Sequence, residues 1–171
     1  MRPSSDIPAP AIARLYTPEQ RARRDATAWT TVQGILAPVQ FLVFAVSLGL
    51  VLRFLLTGEG YGAATLSILA KTLCLYTIMV TGAIWEKRVF GQWLFAPAFF
   101  WEDVVSFGVI ALHTLYLWGL VAGAMAPVAL MAVTLLAYAA YVLNAAQFVL
   151  KLRAARLEEA ASGAGYGGVT A

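Results

Sequence analysis

From Ala26 to Leu52 the chain runs 27 residues without a charged side chain. A bilayer core offers no water to backbone amides, so a segment this long and apolar has one stable form, a spanning helix, for which about 20 residues suffice. Three more runs follow. Gly62 to Trp85 carries one charge, Lys71; Val104 to Val121 carries none unless His113 is protonated; Ala122 to Leu150 carries none. The composition agrees, since 61% hydrophobic and 12% charged residues with a mean hydropathy of +0.76 are too apolar for a soluble domain. Only short breaks, Gly58 to Gly62 and Gly123 to Pro127, separate the outer ends of consecutive runs. The predicted architecture is an all-α integral membrane four-helix bundle with short loops.

The cations set an expected orientation. Arg2, Arg14, Arg21, Arg23 and Arg24 precede the first span, Lys87 and Arg88 lie between the second and third, and Lys151, Arg153 and Arg156 follow the fourth. That puts ten of the twelve on one face, with Arg53 on the other and Lys71 within a span, so both termini are expected in the cytoplasm. The net charge of +3 then reports topology and carries no nucleic-acid signal. The polar lead before the first span, and that span's length, argue against a cleavable signal peptide. Residues 1–28 are expected to form a cytoplasmic segment, 29–152 the membrane domain and 153–171 a cytoplasmic tail. Within the first segment residues 1–15 read as disordered, and Thr17 to Ala26 as a short helix with Thr17 as N-cap, Pro18 at N1 and Gln20 at N3. Pro38 and Gly34 predict a tolerated kink in the first span, and the fourth helix should run on through LRAARLEEA before dissolving in glycines.

Between the second and third spans, Trp85 to Asp103 holds seven of the 21 aromatics and three of the nine carboxylates. Aromatic rings offer a flat apolar ligand a large contact area and favour the membrane boundary. Desolvation beside them favours the neutral acid, the form that donates a proton. Glu102 is the first candidate for acid chemistry and Glu86 the second. Asp103 suits a helix N-terminus electrostatically, and adjacent helical residues point about 100° apart, so Glu102 and Asp103 should serve different surroundings. Trp85, Trp93, Phe99, Phe100 and Trp101 are candidate ligand contacts, with Lys87 and Arg88 either orientation signals or anchors for an anionic tail.

Two ionisable residues lie deep in the spans. His113 shares a helix face with Glu102, about 16 Å away along the axis, and Lys71 reaches about the same depth. His113 is either a neutral histidine bonded to a neighbouring helix or a ligand or proton-transfer group; Lys71 either snorkels outward or binds an anionic group. Asn144 with Gln147, and Gln33 with Gln40, read as interhelical hydrogen-bonding stripes. The single cysteine, Cys74, excludes an internal disulfide and reads as a small apolar residue. One histidine makes a resident transition metal improbable, and no phosphate loop, zinc pair or hydrolase triad is present, so no cofactor is expected. What remains is acid–base chemistry on a lipophilic substrate, or binding alone. A transporter is the weaker option because no broken-helix repeat appears.

The blocks LYTPEQRARRDAT, TVQGILAPVQFLVF, KTLCLYTIMVTGAIWEK, VFGQWLFAPAFFWEDVVS, LHTLY and YVLNAAQFVLKLRAARLE resemble the vinyl bacteriochlorophyllide hydratases of bacteriochlorophyll biosynthesis, over roughly residues 15–158. The resemblance implies a hydro-lyase of the bacterial inner, intracytoplasmic membrane that converts the 3-vinyl group of chlorophyllide a, or its bacteriochlorophyllide counterpart, to a 1-hydroxyethyl group. It implies that the only magnesium is the substrate's own, with membrane lipid and other enzymes of that biosynthesis as surroundings. On that chemistry a buried carboxylic acid protonates the terminal vinyl carbon, and Lys87 or Arg88 holds the propionate. His113 either transfers protons or ligates the substrate magnesium. In the second case another helix must supply the acid, because the vinyl group is only about 6 Å from the metal. The competing function is a non-catalytic pigment-binding or assembly subunit that ligates a chlorophyll through His113.

Overall fold

The computed structural model describes residues 15–166, so the disorder expected for residues 1–15 lies almost wholly outside the described part. Five helices follow one another: α1 Pro18–Ala26, α2 Ala28–Thr57, α3 Tyr61–Phe90, α4 Phe100–Val121 and α5 Pro127–Tyr166. No strand occurs among the described residues, and α2 to α5 are each long and apolar enough to cross a membrane.

Local chemistry sets the boundaries. At the start of α1 the Thr17 N–H donates to Gln20 Oε1 at 2.9 Å and the Gln20 N–H donates to Thr17 Oγ1 at 3.2 Å, the reciprocal cap its sequence predicts. Helix α2 runs unbroken through Pro38. The reversal into α3 needs left-handed backbone at Gly58 (φ 75°) and Gly60 (φ 84°), which glycine adopts without a Cβ clash. Helix α5 continues to Tyr166 instead of dissolving after Ala160. A glycine inside a helix costs about 1 kcal/mol, whereas adding a residue to a formed hydrogen-bond ladder avoids the nucleation cost, so Gly163 and Gly165 weaken the end without stopping it.

Two antiparallel hairpins make the bundle. Helix α2 packs closely on α3 and α4 on α5, while the α3–α4 and α2–α5 seams are lightly packed. Phe44, Val51, Ile68, Leu75, Val109, Tyr116, Met131 and Tyr138 form the shared core. Leu42, Leu66, Leu73, Val121, Leu136 and Leu143 face outward, where on a spanning bundle they meet lipid. A second cluster, Tyr16, Val89 and Phe99 with Trp85, Phe90 and Phe148 against it, closes the end of the bundle where α1, the α3–α4 loop and the later turns of α5 converge. This loop end positions the site.

Candidate active site

All three carboxylates that flank the aromatic stretch are buried, and they divide into two sets. Glu86 in the last turns of α3 and Asp103 in the first turn of α4 meet across the α3–α4 seam, close enough for one carboxyl group to donate to the other. Ionised carboxylates only accept, so this contact needs one proton between the two groups. Each group also takes an amide from the connecting loop: the Ala96 N–H donates to Glu86 Oε2 at 3.1 Å and the Phe95 N–H to Asp103 Oδ2 at 2.7 Å. Phe95 has φ 59°, a left-handed conformation unusual for a bulky residue. That turn brings two successive N–H groups onto the carboxyl pair, where they favour negative charge. One proton shared between the two groups would satisfy this contact, and the amides are placed to support the charge left when it departs.

Glu102, one residue earlier, is rotated about 100° from Asp103 and faces α5. Lys151 Nζ donates to Glu102 Oε2 at 2.6 Å and to the Ala98 carbonyl at 2.6 Å, and it lies 5.3 Å from the Phe99 ring centroid. An ion-paired carboxylate is a poor proton donor. The geometry therefore favours Glu86 and Asp103 over Glu102 for acid chemistry and gives Glu102 the task of tying α5 to the start of α4. Lys151 is the residue that reasoning from sequence misses, having been read as an orientation signal. Its clue is register: Asn144, Gln147 and Lys151 at i, i+3 and i+7 share a helix face.

The aromatics split as well. Trp85 and Phe99 turn inward: the Trp85 indole N–H donates to Thr30 Oγ1 at 3.0 Å, its ring meets Phe99 at 5.6 Å, and Phe99 stacks on Phe148 at 5.8 Å. They stiffen the loop end. Trp93, Phe95, Phe100 and Trp101 are exposed, and Phe95 stacks on Phe107 with centroids 5.4 Å apart. Phe100 lies 5.7 Å from Phe95 and 5.4 Å from Trp101, so these three rings with Phe107 form an apolar strip starting at the residue whose amide meets Asp103, while Trp93 lies near Lys87. Lys87 donates to the Gly91 carbonyl at 2.8 Å and is exposed, as is Arg88.

At mid-bundle, Lys71 has 0% of its surface exposed, and its Nζ sits 3.7 Å above the Tyr141 ring. It does not snorkel. No hydrogen-bond partner reaches that Nζ, nor His113 Nε2. His113 Nδ1 lies 2.8 Å from the Val109 carbonyl. A carbonyl can only accept, so Nδ1 carries the hydrogen and Nε2 of the neutral ring keeps its lone pair, the pattern of a metal-ligating or proton-accepting histidine. The neighbouring polar residues behave as expected of helix-to-helix bonds: Asn144 Nδ2 donates to Ser106 Oγ at 2.7 Å and Gln33 Nε2 to Thr81 Oγ1 at 2.8 Å. Gln40 and Gln147, the other members of those two stripes, keep Oε1 atoms without a partner. Among the described residues no group of three or more His, Cys, Asp or Glu side chains could hold a metal ion.

A four-span helical membrane protein with a buried carboxyl pair at one end of the bundle, bordered by exposed aromatic rings, is the class that fold and site define. Comparison with known proteins narrows it. The family model for 2-vinyl bacteriochlorophyllide hydratase matches residues 16–154. A 2-vinyl bacteriochlorophyllide hydratase of Cereibacter sphaeroides is 72% identical over 159 residues, covering 92% of this chain and 97% of that protein. Another, of Rhodobacter capsulatus, is 69% identical over 156 residues, covering 91% of each. No solved structure matches the chain. The chain belongs to the 2-vinyl bacteriochlorophyllide hydratase family.

Proposed function

We propose that this chain adds water to the vinyl group of a chlorophyllide-type macrocycle, giving a 1-hydroxyethyl group, with Glu86 and Asp103 as the acid–base pair. The buried meeting of those two carboxyl groups under two loop amides carries the reading, because two carboxyl groups so close are most stable with one proton between them. The pair gives that proton to the terminal vinyl carbon. Cationic character then develops at the carbon attached to the macrocycle, where conjugation spreads it, while the amides of Phe95 and Ala96 support the anionic pair. Water adds to the cationic carbon and its surplus proton returns to the pair, so one water is consumed and the enzyme is unchanged. The Phe95 ring, stacked on Phe107 and carried by the residue whose amide meets Asp103, would contact the macrocycle beside its vinyl group, while Trp93, Phe100 and Trp101 would line the approach at the membrane surface.

His113 then ligates the substrate magnesium from the bundle interior. Val109 lies about 9 Å along the axis from Asp103, and an imidazole folded back onto its carbonyl brings Nε2 to about 10 Å from the pair. A donor contact of about 3 Å, a vinyl-to-metal span of about 6 Å and a metal–nitrogen bond of about 2 Å total about 11 Å. The bare Nε2 is free to take this role, and its depth in the bundle, away from the carboxyl pair, favours it over proton transfer. The cation distribution supports a bacterial inner membrane setting with both termini and the loop end in the cytoplasm, and the segmentation 1–28, 29–152 and 153–171 follows from it.

The test is to incubate detergent-solubilised protein with chlorophyllide a and with its bacteriochlorin analogue and to look for a mass gain of one water. A pigment-binding subunit would bind both and change neither.

A further inference from the structure

Lys71 is the residue that the chemistry above leaves unused. It projects from the middle of a spanning helix into the bundle and is wholly buried, yet no oxygen accepts from its Nζ. The surroundings supply no carboxylate: the group beneath it is the Tyr141 ring at 3.7 Å, and its ionisable neighbours are the Cys74 thiol one turn along α3 and His113 across the seam. A ring face steadies an ammonium from one side and leaves its N–H bonds directed elsewhere. Buried charges in membrane proteins are paired or mark a ligand.

Glu86, Asp103, His113 and Lys71 occupy the two helices of the lightly packed α3–α4 seam. Lys71 precedes Glu86 by fifteen helical steps, about 22 Å between their backbones, from which the lysine and glutamate stems each displace their ends by a few Å. A chlorin placed with its vinyl group at the carboxyl pair, and with its propionate extended away from it, spans about 15 Å by covalent dimensions. One contact of about 3 Å at each end makes about 21 Å. The length matches.

We propose that Lys71 is the counter-ion for the free carboxylate of the substrate, so that the buried seam between α3 and α4 takes a macrocyclic carboxylic acid lengthwise and selects the free acid over its esters. This rests on the hydratase reading of the loop-end site. Lys87 and Arg88, exposed to solvent, give a carboxylate far weaker discrimination, because water screens them and already solvates the carboxylate there.

The experiment compares chlorophyllide a with its methyl ester, measuring binding by pigment fluorescence and turnover by mass, in the full chain and in Lys71→Met, Lys71→Arg and a Lys87→Gln, Arg88→Gln double variant. The unaltered chain should bind the free acid at least about tenfold more tightly than the ester. In Lys71→Met that preference should vanish through weaker binding of the acid, with ester binding unchanged; Lys71→Arg should retain part of it, and the double variant all of it. A preference that survives Lys71→Met, or that disappears in the double variant, overturns the proposal. So does an unaltered chain that binds acid and ester equally, a result that does not depend on any variant folding. Absence of turnover with either pigment would sink the hydratase reading, while the binding ratios would still judge Lys71.

Discussion

Replacing Glu86 by Gln should remove the chemistry and leave the structure. The amide oxygen still accepts the Ala96 N–H, which now meets Glu86 Oε2 at 3.1 Å, and the amide NH2 donates to Asp103 in place of the shared proton. Both contacts that organise the loop end survive, so stability should change by no more than about 1 kcal/mol. The proton is gone, and loss of a general acid costs about a hundredfold to ten-thousandfold in rate, equivalent to about 2.7 to 5.4 kcal/mol of barrier. Asp103→Asn should do the same, since the Phe95 N–H keeps an oxygen to donate to. Because the two side chains hold one proton between them, Glu86→Gln with Asp103→Asn should be scarcely slower than either single variant. The assay is initial-rate formation of hydroxyethyl product by mass spectrometry, beside a pigment-binding titration that should remain near native. Near-native turnover in both single variants would refute the assignment, and a double variant whose loss equals the product of the single losses would refute the sharing of one proton.

Lys151→Met should destabilise the bundle by about 2 kcal/mol, because it strands a Glu102 side chain that is only 6% exposed, while the 28% exposure of Lys151 keeps the loss below that of a fully buried pair; adding Glu102→Gln should recover part of it, and denaturant titration in detergent reads both. Glu102→Gln alone should keep most of the hydration rate, and a loss as large as that of Glu86→Gln would move the acid to Glu102. His113→Ala should weaken binding of chlorophyllide and spare metal-free pheophorbide, since only the former loses a coordinate bond; equal binding of both with slow reaction of both would make His113 a proton-transfer residue. Reporter fusions at Gly60 and Gly165 should fall on opposite sides of the membrane, and finding them on one side would end the proposed topology.

Much of the fold is legible in the sequence because the forces that make it are local. An uncharged run of 27 residues has no stable form in lipid other than a helix, so α2 needs no knowledge of its neighbours. Thr17, Pro18 and Gln20 close their cap within a single turn. Gly58 and Gly91 end α2 and α3 through their own backbone freedom. The 100° step between Glu102 and Asp103 likewise said that they would face different surroundings. The end of α5 was misjudged because local propensity alone does not fix where an already formed helix stops.

What stands opposite each side chain was beyond the sequence. Asp103 suited a helix dipole equally well with or without Glu86 beside it, and Glu102 gave no sign that Lys151, 49 residues later, would neutralise it. Tertiary packing decided both, since helical register and crossing geometry determine which faces of α3, α4 and α5 coincide. It also sorted the aromatics, turning Trp85 and Phe99 inward against Phe148 and α1 while leaving Trp93 and Trp101 outside. Lys71 shows the division most sharply. Hydropathy could place it within a span, but a four-carbon stem reaches either the interface or the interior, and only the position of the Tyr141 ring on α5 fixed its ammonium at mid-bundle, without a protein oxygen to bind.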